Sequence, residues 1–549
     1  MRLAYRRPTL EMFMKGKPSE EEAYVKKGVV TLEGMGGEEI KLEKADVVIM
    51  NPPFTRQERI PARYKFTLEK RLKEYHKYIH GQLGLYGYFV LLADKFLKEN
   101  GRMALVLPAT VLRLKSALGI RKLLTDNYSI NYVITTWQRA AFSEGAQFRE
   151  ILLIATKTKK NDTPCIIVKL KRIPKNLDEA RDIAIKIKSV SRTLPVNHIL
   201  TTEEMSIRVL SQQALKDNFE NLFIYISCHN EEIEKTWEEM FNKMQKSGKF
   251  VTFMEVLKKI NGRIFEGARA RSQLLHAPIG STFILHDASR ADKSQDRWVL
   301  KKEKAESLIA ENLFTKTSLT IPRKSVCYGL RRLSGVNSID LTNNLDFVVI
   351  DAFPDLDNFF VNEDVSRIRR EMSSWKEYIL RRLSKLAIAF RFDMSAKGTT
   401  LFAWYSSVPM AGCGVVWNIT GVDDTYAKIL ALWFNSTVNA LQIYLKRVET
   451  RGAWMELHKY VIDDLFALDP TKLSAKEKNE LLQLFESVKD VKFPSFLTQL
   501  KEKDKNRMKI DKAFLKIMGF TEKETKQILD FLYPALANEI EQLKALMKG

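Results

Sequence analysis

The sequence has few of the residues that build covalent or metal frameworks. Its four cysteines are far apart, at Cys165, Cys228, Cys327 and Cys413. This spacing excludes a CxxC metal knuckle and a disulfide framework, and favours a reduced, cytoplasmic protein. No apolar run is long enough to cross a bilayer, so no membrane partner is expected. The start, MRLAYRRPTLEMFMKG, lacks the apolar core and small-residue cleavage site of a signal peptide.

Histidine is also scarce, and no metal site is expected. Among the seven histidines, only His76 and His80 have the i, i+4 spacing of a helical metal pair. No third ligand is recognisable, so we interpret them as surface residues. Pro354-Asp355 has the two residues that begin a PD…(D/E)xK nuclease pattern, but no suitable partner follows. A turn is the preferred interpretation there.

Positive charge is abundant. Lys and Arg total 89 against 67 for Asp and Glu, a net charge of +22. Such a field favours a polyanion, and double-stranded DNA is the expected partner. The alternative is a solvated Lys/Glu-rich surface of the kind found in heat-adapted proteins. The excess of basic over acidic residues is larger in residues 56–77, which contain eight basic and three acidic side chains. This stretch follows the tetrapeptide Asn51-Pro52-Pro53-Phe54.

The chain's 549 residues predict two to four domains. Residues 1–158 show an α/β pattern with a largely parallel sheet. The expected elements are strands 46–50 and 103–108, helices 86–99 and 112–127, and paired strands 130–136 and 150–156. Residues 159–260 are a mixed connecting region, and 261–470 contain short β-like runs. Residues 471–549 form a helical tail with two capping-box spacings, at Ser474/Glu477 and Thr521/Glu524.

The tetrapeptide Asn51-Pro52-Pro53-Phe54 carries the clearest chemistry. Ligands of α/β sheets bind beyond the carboxyl ends of the strands, where Asn51 would project. Its amide oxygen and the Pro52 carbonyl are two acceptors on a loop that the prolines stiffen. Phe54 adds an apolar face on which a planar base can stack. Acceptors that hold both hydrogens of an exocyclic amine favour a pyramidal nitrogen, whose lone pair can attack a methyl group without a strong base. The base must leave its duplex first.

The order DVVIMNPPF, an aromatic-rich helix and then GRMALVLP resembles the gamma group of adenine-N6 DNA methyltransferases. This group includes type I modification subunits and single-chain, type IIG-like enzymes. The resemblance covers about residues 40–157. It implies the C-terminal part of a Rossmann-like domain dependent on S-adenosylmethionine (SAM), in which Asn51, Pro52, Pro53 and Phe54 grip the adenine amine. It also implies a base-stacking aromatic between the last two strands, for which Phe142 is the first match and Phe148 the second.

The glycine-rich SAM loop of this group is not recognisable. The single candidate, Gly34-Met35-Gly36-Gly37, is only fourteen residues before Asn51, too few for two βα units. We interpret it as a hairpin turn. Three explanations stay open: a separate polypeptide carries the SAM-binding half, the gene start is placed too late, or the chain is a remnant. A sheet without its first strands would expose an apolar edge that a partner must cover.

The resemblance also implies a target-recognition domain downstream, for which residues 261–470 have the right position and size. Asn435, Ser436, Arg451 and Gly452 loosely match segments that close such domains. Candidate DNA contacts are arginines near the tetrapeptide and in glycine-rich loops, with solvated loop charge as the alternative for the latter. They are Arg56, Arg59, Arg63, Arg263, Arg269, Arg271, Arg331 and Arg332.

The leading hypothesis is a site-specific DNA adenine-N6 methyltransferase of a restriction-modification or related defence system, with SAM as cofactor. One rival is an NPP-loop methyltransferase acting on RNA or on a protein glutamine, although such enzymes are usually more compact. The other is a non-catalytic DNA-binding specificity protein or remnant, because the methyl-donor site is not recognisable.

Overall fold

The computed structural model describes residues 43–137, 142, 149–160, 163–269, 274–292, 294–447 and 454–545. The first elements confirm the predicted series of strand, helix, strand, helix and two strands, with one further helix, α1, near the start. In chain order they are β1 (Ala45–Met50), α1 (Ala62–Arg71), α2 (Leu85–Phe96), β2 (Leu97–Pro108), α3 (Leu118–Asn127), β3 (Tyr128–Thr136) and β4 (Glu150–Lys157).

The first sheet extends beyond residue 158, where we expected the domain to end. Strand β5 pairs in parallel with β3, and two further strands follow it. The elements added here are β5 (Cys165–Leu170), α4 (Leu177–Thr193), β6 (Ile199–Thr201), β7 (Met205–Leu210), α5 (Gln212–Asp217), α6 (Glu231–Ser247), β8 (Phe250–Thr252) and α7 (Phe253–Lys259). The connecting region is therefore partly a continuation of the first sheet.

The seven strands of this sheet follow the order β1-β2-β4-β3-β5-β7-β6. The sheet is mixed, and the expectation of a largely parallel one is corrected. Strand β4 runs antiparallel between β2 and β3 because it returns directly from β3, and β7 is antiparallel to β5. Strands β1, β2, β3 and β5 still point the same way, so their carboxyl ends meet at one edge.

A second sheet occupies much of residues 261–470, in agreement with the predicted β-rich character. Its ten strands follow the order β13-β12-β11-β10-β15-β14-β18-β16-β19-β9. The elements of this part are β9 (Arg263–Glu266), β10 (Phe283–Leu285), β11 (Trp298–Glu303), β12 (Ser307–Asn312), β13 (Ser318–Pro322), β14 (Val326–Leu330), β15 (Asp346–Val349), α8 (Leu356–Phe359), α9 (Val365–Leu380), β16 (Ser384–Ala389), β17 (Arg391–Asp393), β18 (Ala403–Gly412), β19 (Val416–Thr420), α10 (Asp424–Phe434), α11 (Thr437–Leu445), β20 (Trp454–Glu456), α12 (Lys459–Asp463) and β21 (Phe466–Leu468).

The C-terminal part is helical, as predicted. Its helices are α13 (Ala475–Val488), α14 (Phe496–Lys501), α15 (Lys505–Ile517) and α16 (Glu522–Ala545). Both predicted capping boxes are present: Glu477 N–H donates to the Ser474 hydroxyl over 3.2 Å, and Glu524 N–H donates to the Thr521 hydroxyl over 3.3 Å.

The tail helices are packed on the rest of the chain. The carboxylate of Glu539 in α16 is fully buried. It accepts hydrogen bonds from the backbone N–H of His229 and of Asn230 and from the Tyr444 hydroxyl. One continuous hydrophobic core includes residues from the first sheet, the second sheet and the tail. No helix in the described ranges has the length and apolar character that a membrane span requires.

Candidate active site at the carboxyl edge of the first sheet

The NPPF loop begins where β1 ends. Strand β1 pairs in parallel with β2, with Met50 opposite Leu105, so Asn51 is the first residue beyond the paired strand. Asn51 and Pro53 are exposed, Pro52 is buried and Phe54 is half-buried against the hydrophobic core. The loop is therefore anchored on its inner side while the Asn51 amide lies at the surface of the carboxyl edge.

The loop is also tied to the start of α2. Leu85 N–H donates to the Thr55 carbonyl over 3.0 Å. Gly84, next to it, permits this approach, because a Cβ there would lie 3.3 Å from the Thr55 oxygen and 2.8 Å from Cε1 of Tyr86. A glycine at the start of the aromatic-rich helix thus helps to set the position of the tetrapeptide.

The predicted stacking loop begins at the same edge. It joins the end of β3 at Thr136 to the start of β4 at Glu150. Strands β2 and β4 lie between β1 and β3, so the two loops begin roughly 14 Å apart at about 4.8 Å per strand. Phe142 is half-buried; its backbone N–H donates to the Glu150 carboxylate over 2.8 Å. Phe148 falls outside the described residues.

Phe142 and Phe54 are anchored in different places. The Phe142 ring packs against the hydrophobic cluster of β5, β7 and α4, whereas Phe54 packs against the main core. The topology brings both aromatics to one edge, and the stacking role of Phe142 stays a prediction.

A third segment, which the sequence interpretation missed, approaches this edge at Arg113. The guanidinium of Arg113 donates to the Arg447 carbonyl and lies 4.4 Å from the centre of the Phe223 ring. Partial burial raises the pKa of Tyr460, and the nearby positive charge of Arg113 opposes that shift. Trp454, six residues before Tyr460, is 47% exposed. The sequence feature that could have indicated this segment is the pair of exposed aromatic residues in AWMELHKY, Trp454 and Tyr460.

The basic residues after the tetrapeptide are at the surface, as expected. Arg56 and Arg59 flank a short 3-10 turn at Gln57–Arg59, and Arg63 lies in the first turn of α1. All three are exposed.

Two arginines of the second sheet are not available in the way we expected. Arg331 is buried, with Nε 2.8 Å from Asp296 Oδ1. Arg332 Nε lies 2.9 Å from Asp296 Oδ2, and its Nη2 lies 2.7 Å from Asp292. Arg331 is buried in this ion-pair network, whereas Arg332 is partly exposed, and a DNA contact at either residue stays a prediction.

The other predicted arginines differ from these. Arg263 is exposed in β9 opposite Thr420. Arg269 is exposed but forms an ion pair with Glu266. Arg271 lies outside the described residues, as do Arg451 and Gly452. Asn435 is buried; its side chain bonds the backbone of Phe402 and Ala403, which is a structural role.

The structure describes the candidate metal-binding histidines but not the candidate cofactor-binding glycines. The candidate glycines Gly34, Gly36 and Gly37 lie outside the described residues, so SAM binding has no described counterpart. In the described part of the chain, no group of three or more His, Cys, Asp or Glu residues could hold a metal ion. His76 lies in a 3-10 helix, Lys73–Tyr78, that ends before His80, and both histidines are exposed, as interpreted from the sequence.

A comparison with protein-family models agrees with the resemblance that the tetrapeptide carries. Residues 14–142 match the Eco57I restriction-modification methylase family. This match spans β1, the NPPF loop, α1, α2, β2 and β3. It confirms, for this part of the chain, the resemblance to restriction-modification methylases that the NPPF motif predicts. No curated protein matches the chain.

Solved structures of restriction-modification enzymes are similar at low identity. The type IIG restriction endonuclease BpuSI is 12% identical, with a TM-score of 0.40, over 90% of this chain and 54% of that one. The type IIL enzyme MmeI, solved with DNA, is 11% identical, with a TM-score of 0.40, over 92% and 57%. A type I methyltransferase subunit from Streptococcus thermophilus is 19% identical, with a TM-score of 0.24, over 33% and 37%. The chain thus spans little more than half the length of BpuSI and MmeI.

Proposed function

We propose that this chain carries the acceptor site of a site-specific DNA adenine-N6 methyltransferase in a restriction-modification or related defence system. The observation that supports it most is the position of Asn51-Pro52-Pro53-Phe54 at the carboxyl end of β1, within the segment that matches the methylase family. An exposed amide on an anchored, proline-stiffened loop has the properties needed to hold an amine in a fixed direction.

In this proposal the Asn51 amide oxygen and the Pro52 carbonyl each accept one hydrogen of the adenine amine. Phe54 supports the plane of the flipped base. The two acceptors favour a pyramidal nitrogen and direct its lone pair away from the loop. SAM supplies the methyl group when it is bound. The amine would attack as a neutral group, so that the new N–C bond forms as the methyl–sulfur bond breaks and the demethylated cofactor leaves. The cationic nitrogen then loses a proton to water, so the chain needs no strong base beside Asn51.

We further propose that a SAM-binding polypeptide pairs with β1. Within the described strands, β1 is at one end of its sheet and bonds to β2. Its side chains Val47 and Ile49 are 56% and 77% exposed. Apolar side chains on an edge strand are a hazard for aggregation unless another strand covers them. A partner strand would satisfy the backbone of β1, and the elements that accompany that strand would cover the face from which both side chains project.

The test is transfer of labelled methyl groups from SAM to a mixture of plasmid DNA fragments. The full chain is assayed alone and together with the product of the coding region upstream, and N6-methyladenine is measured after digestion to nucleosides. Asn51→Ala should lower the rate by about a hundredfold, the scale of losing one oriented polar group at a reacting centre. Asn242→Ala, at an exposed position of α6, is the matched control.

Each alternative predicts a different outcome. Full methylation by Asn51→Ala would refute the assigned site. Specific DNA binding without methylation under either condition would favour the non-catalytic specificity protein or remnant. Methylation of RNA or of protein glutamine in place of DNA would favour the other NPP-loop class.

A further inference from the structure

Helix α1 presents an unusual outer face beside the NPPF loop. The helix begins eight residues after Phe54, and none of its residues is buried. Its inner side is defined by Leu68, which packs on the core. Arg63, Phe66 and Lys70 lie on the side away from Leu68. Glu69 flanks Phe66 and accepts a hydrogen bond from the Tyr88 hydroxyl over 3.0 Å.

These three residues form one stripe. Positions i, i+3 and i+7 lie on the same face of an α-helix, so Phe66 stands between Arg63 and Lys70. Phe66 is 69% exposed, which is a large apolar surface to leave in water. From Arg63 to Lys70 the helix rises about 10 Å, which equals about three base steps of one DNA strand.

The charge around Phe66 indicates what would cover it. Eight basic and three acidic residues lie between positions 56 and 77. An apolar protein surface would have to desolvate Arg63 and Lys70 to reach the ring, which is unfavourable. A nucleic acid satisfies both requirements, because its phosphates pair with the cations and its bases offer planar faces for the ring.

We propose that α1 is a DNA-binding element in which Phe66 stacks on a base that has lost its pairing partner beside the target adenine. Arg63 and Lys70 hold the phosphates on either side. This inference rests on the proposed function, since extrusion of the adenine is what leaves a base unpaired. It adds a stacking residue on the helix that follows the NPPF loop in the chain.

The first test compares binding of the full chain to two fluorescein-labelled duplexes. One duplex is intact, and the other lacks a single base. Fluorescence anisotropy gives both affinities without SAM. The wild-type chain should prefer the abasic duplex, whose unpaired base mimics the flipped state. Phe66→Ala should reduce this preference about tenfold, the scale of one base–aromatic stack. Phe66→Trp should retain it, and Ile185→Ala, an exposed apolar side chain on α4, should not change it.

The second test separates the ring from the charges. Neutralising one phosphate contact lowers the slope of log affinity against log salt concentration by about 0.9. Lys70→Gln should therefore lower the slope by about 0.9, and Arg63→Gln with Lys70→Gln by about 1.8. Phe66→Ala should leave the slope unchanged. Lys476→Gln, at an exposed position of α13, is the matched control.

The two proposals can fail separately. If Phe66→Ala keeps the wild-type preference, or if the double variant keeps the wild-type slope, the inference is wrong and the stripe is a protein-binding face. If Asn51→Ala methylates fully while Phe66→Ala loses the preference, the acceptor site is wrong but the DNA contact of α1 stands.

Discussion

Glu539→Gln is a perturbation for which the structure gives a large effect on stability. The Glu539 carboxylate is buried and accepts hydrogen bonds of 2.8 Å from His229 N–H, 2.7 Å from Asn230 N–H, and 2.7 Å from the Tyr444 hydroxyl. The His229 ring nitrogen Nδ1 is 3.0 Å away. Glutamine keeps one oxygen acceptor but turns an NH₂ group towards donors, so at least one buried donor loses its partner.

The size of the effect follows from the pKa of the carboxyl group. Burial alone would raise it, but the hydrogen bonds and charge of His229, with the Tyr444 bond, outweigh burial and lower the pKa of Glu539 from 4.5 to about 2. The difference corresponds to about 3 kcal/mol, at about 1.36 kcal/mol per pH unit. A lowered carboxyl pKa stabilises the fold above about pH 4.5, and this stabilisation is lost as the pH falls towards 2.

Urea unfolding followed by tryptophan fluorescence is a suitable assay, because Trp137 lies 5.1 Å from the His229 ring. At pH 7 we expect Glu539→Gln to lower the free energy of unfolding by about 3 kcal/mol, and at pH 3 by roughly 1.5 kcal/mol. Glu541→Gln, two residues along α16, removes an exposed ion pair with Lys501 and should cost less than about 0.5 kcal/mol. A difference between wild type and Glu539→Gln that is the same at both pH values would refute the reasoning.

The remaining predictions concern the acceptor loop and the edge strand. Gly84→Ala places a Cβ 3.3 Å from the Thr55 carbonyl, so it should shift the NPPF loop and slow methyl transfer roughly ten- to hundredfold. Gly81→Ala, where a Cβ would meet nothing within 4 Å, should keep the wild-type rate in the same assay, and equal rates for both variants would contradict the role of Gly84. Ile49→Thr replaces a 77% exposed apolar side chain of β1 with a β-compatible polar one, so light scattering by the isolated chain should fall. If Ile49→Thr scatters as much as wild type, exposed β1 is not the cause of self-association.

The position of the NPPF loop was predictable because its signals are local. A run of apolar residues, Ala45–Met50, followed directly by Asn51 and two prolines specifies a strand and the rigid loop beyond it; the expectation that this strand is buried was wrong, since none of its residues is buried. The capping boxes at Ser474 and Thr521 were predictable for the same reason, since residues three positions apart decide a helix start. The pairing of β3 with β4 was also predictable, because β4 follows β3 directly in the chain and returns beside it in the antiparallel direction.

The roles of individual arginines were not predictable, because they depend on partners far away in the chain. In the sequence YGLRRLSG, Arg331 has the appearance of a solvated cation in a loop. In the structure it is paired with Asp296, which lies 35 residues earlier in the chain. The boundary at residue 158 was wrong for a similar reason. Strand β5 extends the first sheet by pairing with β3, and the residues of neither strand specify which neighbour it pairs with.

The support of the carboxyl edge comes from several parts of the chain. Arg113, beyond β2, donates to the Arg447 carbonyl, and Arg447 Nη2 donates to the Ser227 carbonyl over 2.8 Å. The guanidinium of Arg447 stacks on Tyr444, whose hydroxyl bonds Glu539 in the tail. Because these contacts are buried and continuous, a shift of α16 changes the surroundings of Arg113, which follows the strand paired with β1. The tail helices α13–α16 therefore belong to the structure that supports this edge, and under the proposed function their loss should affect methyl transfer as well as stability.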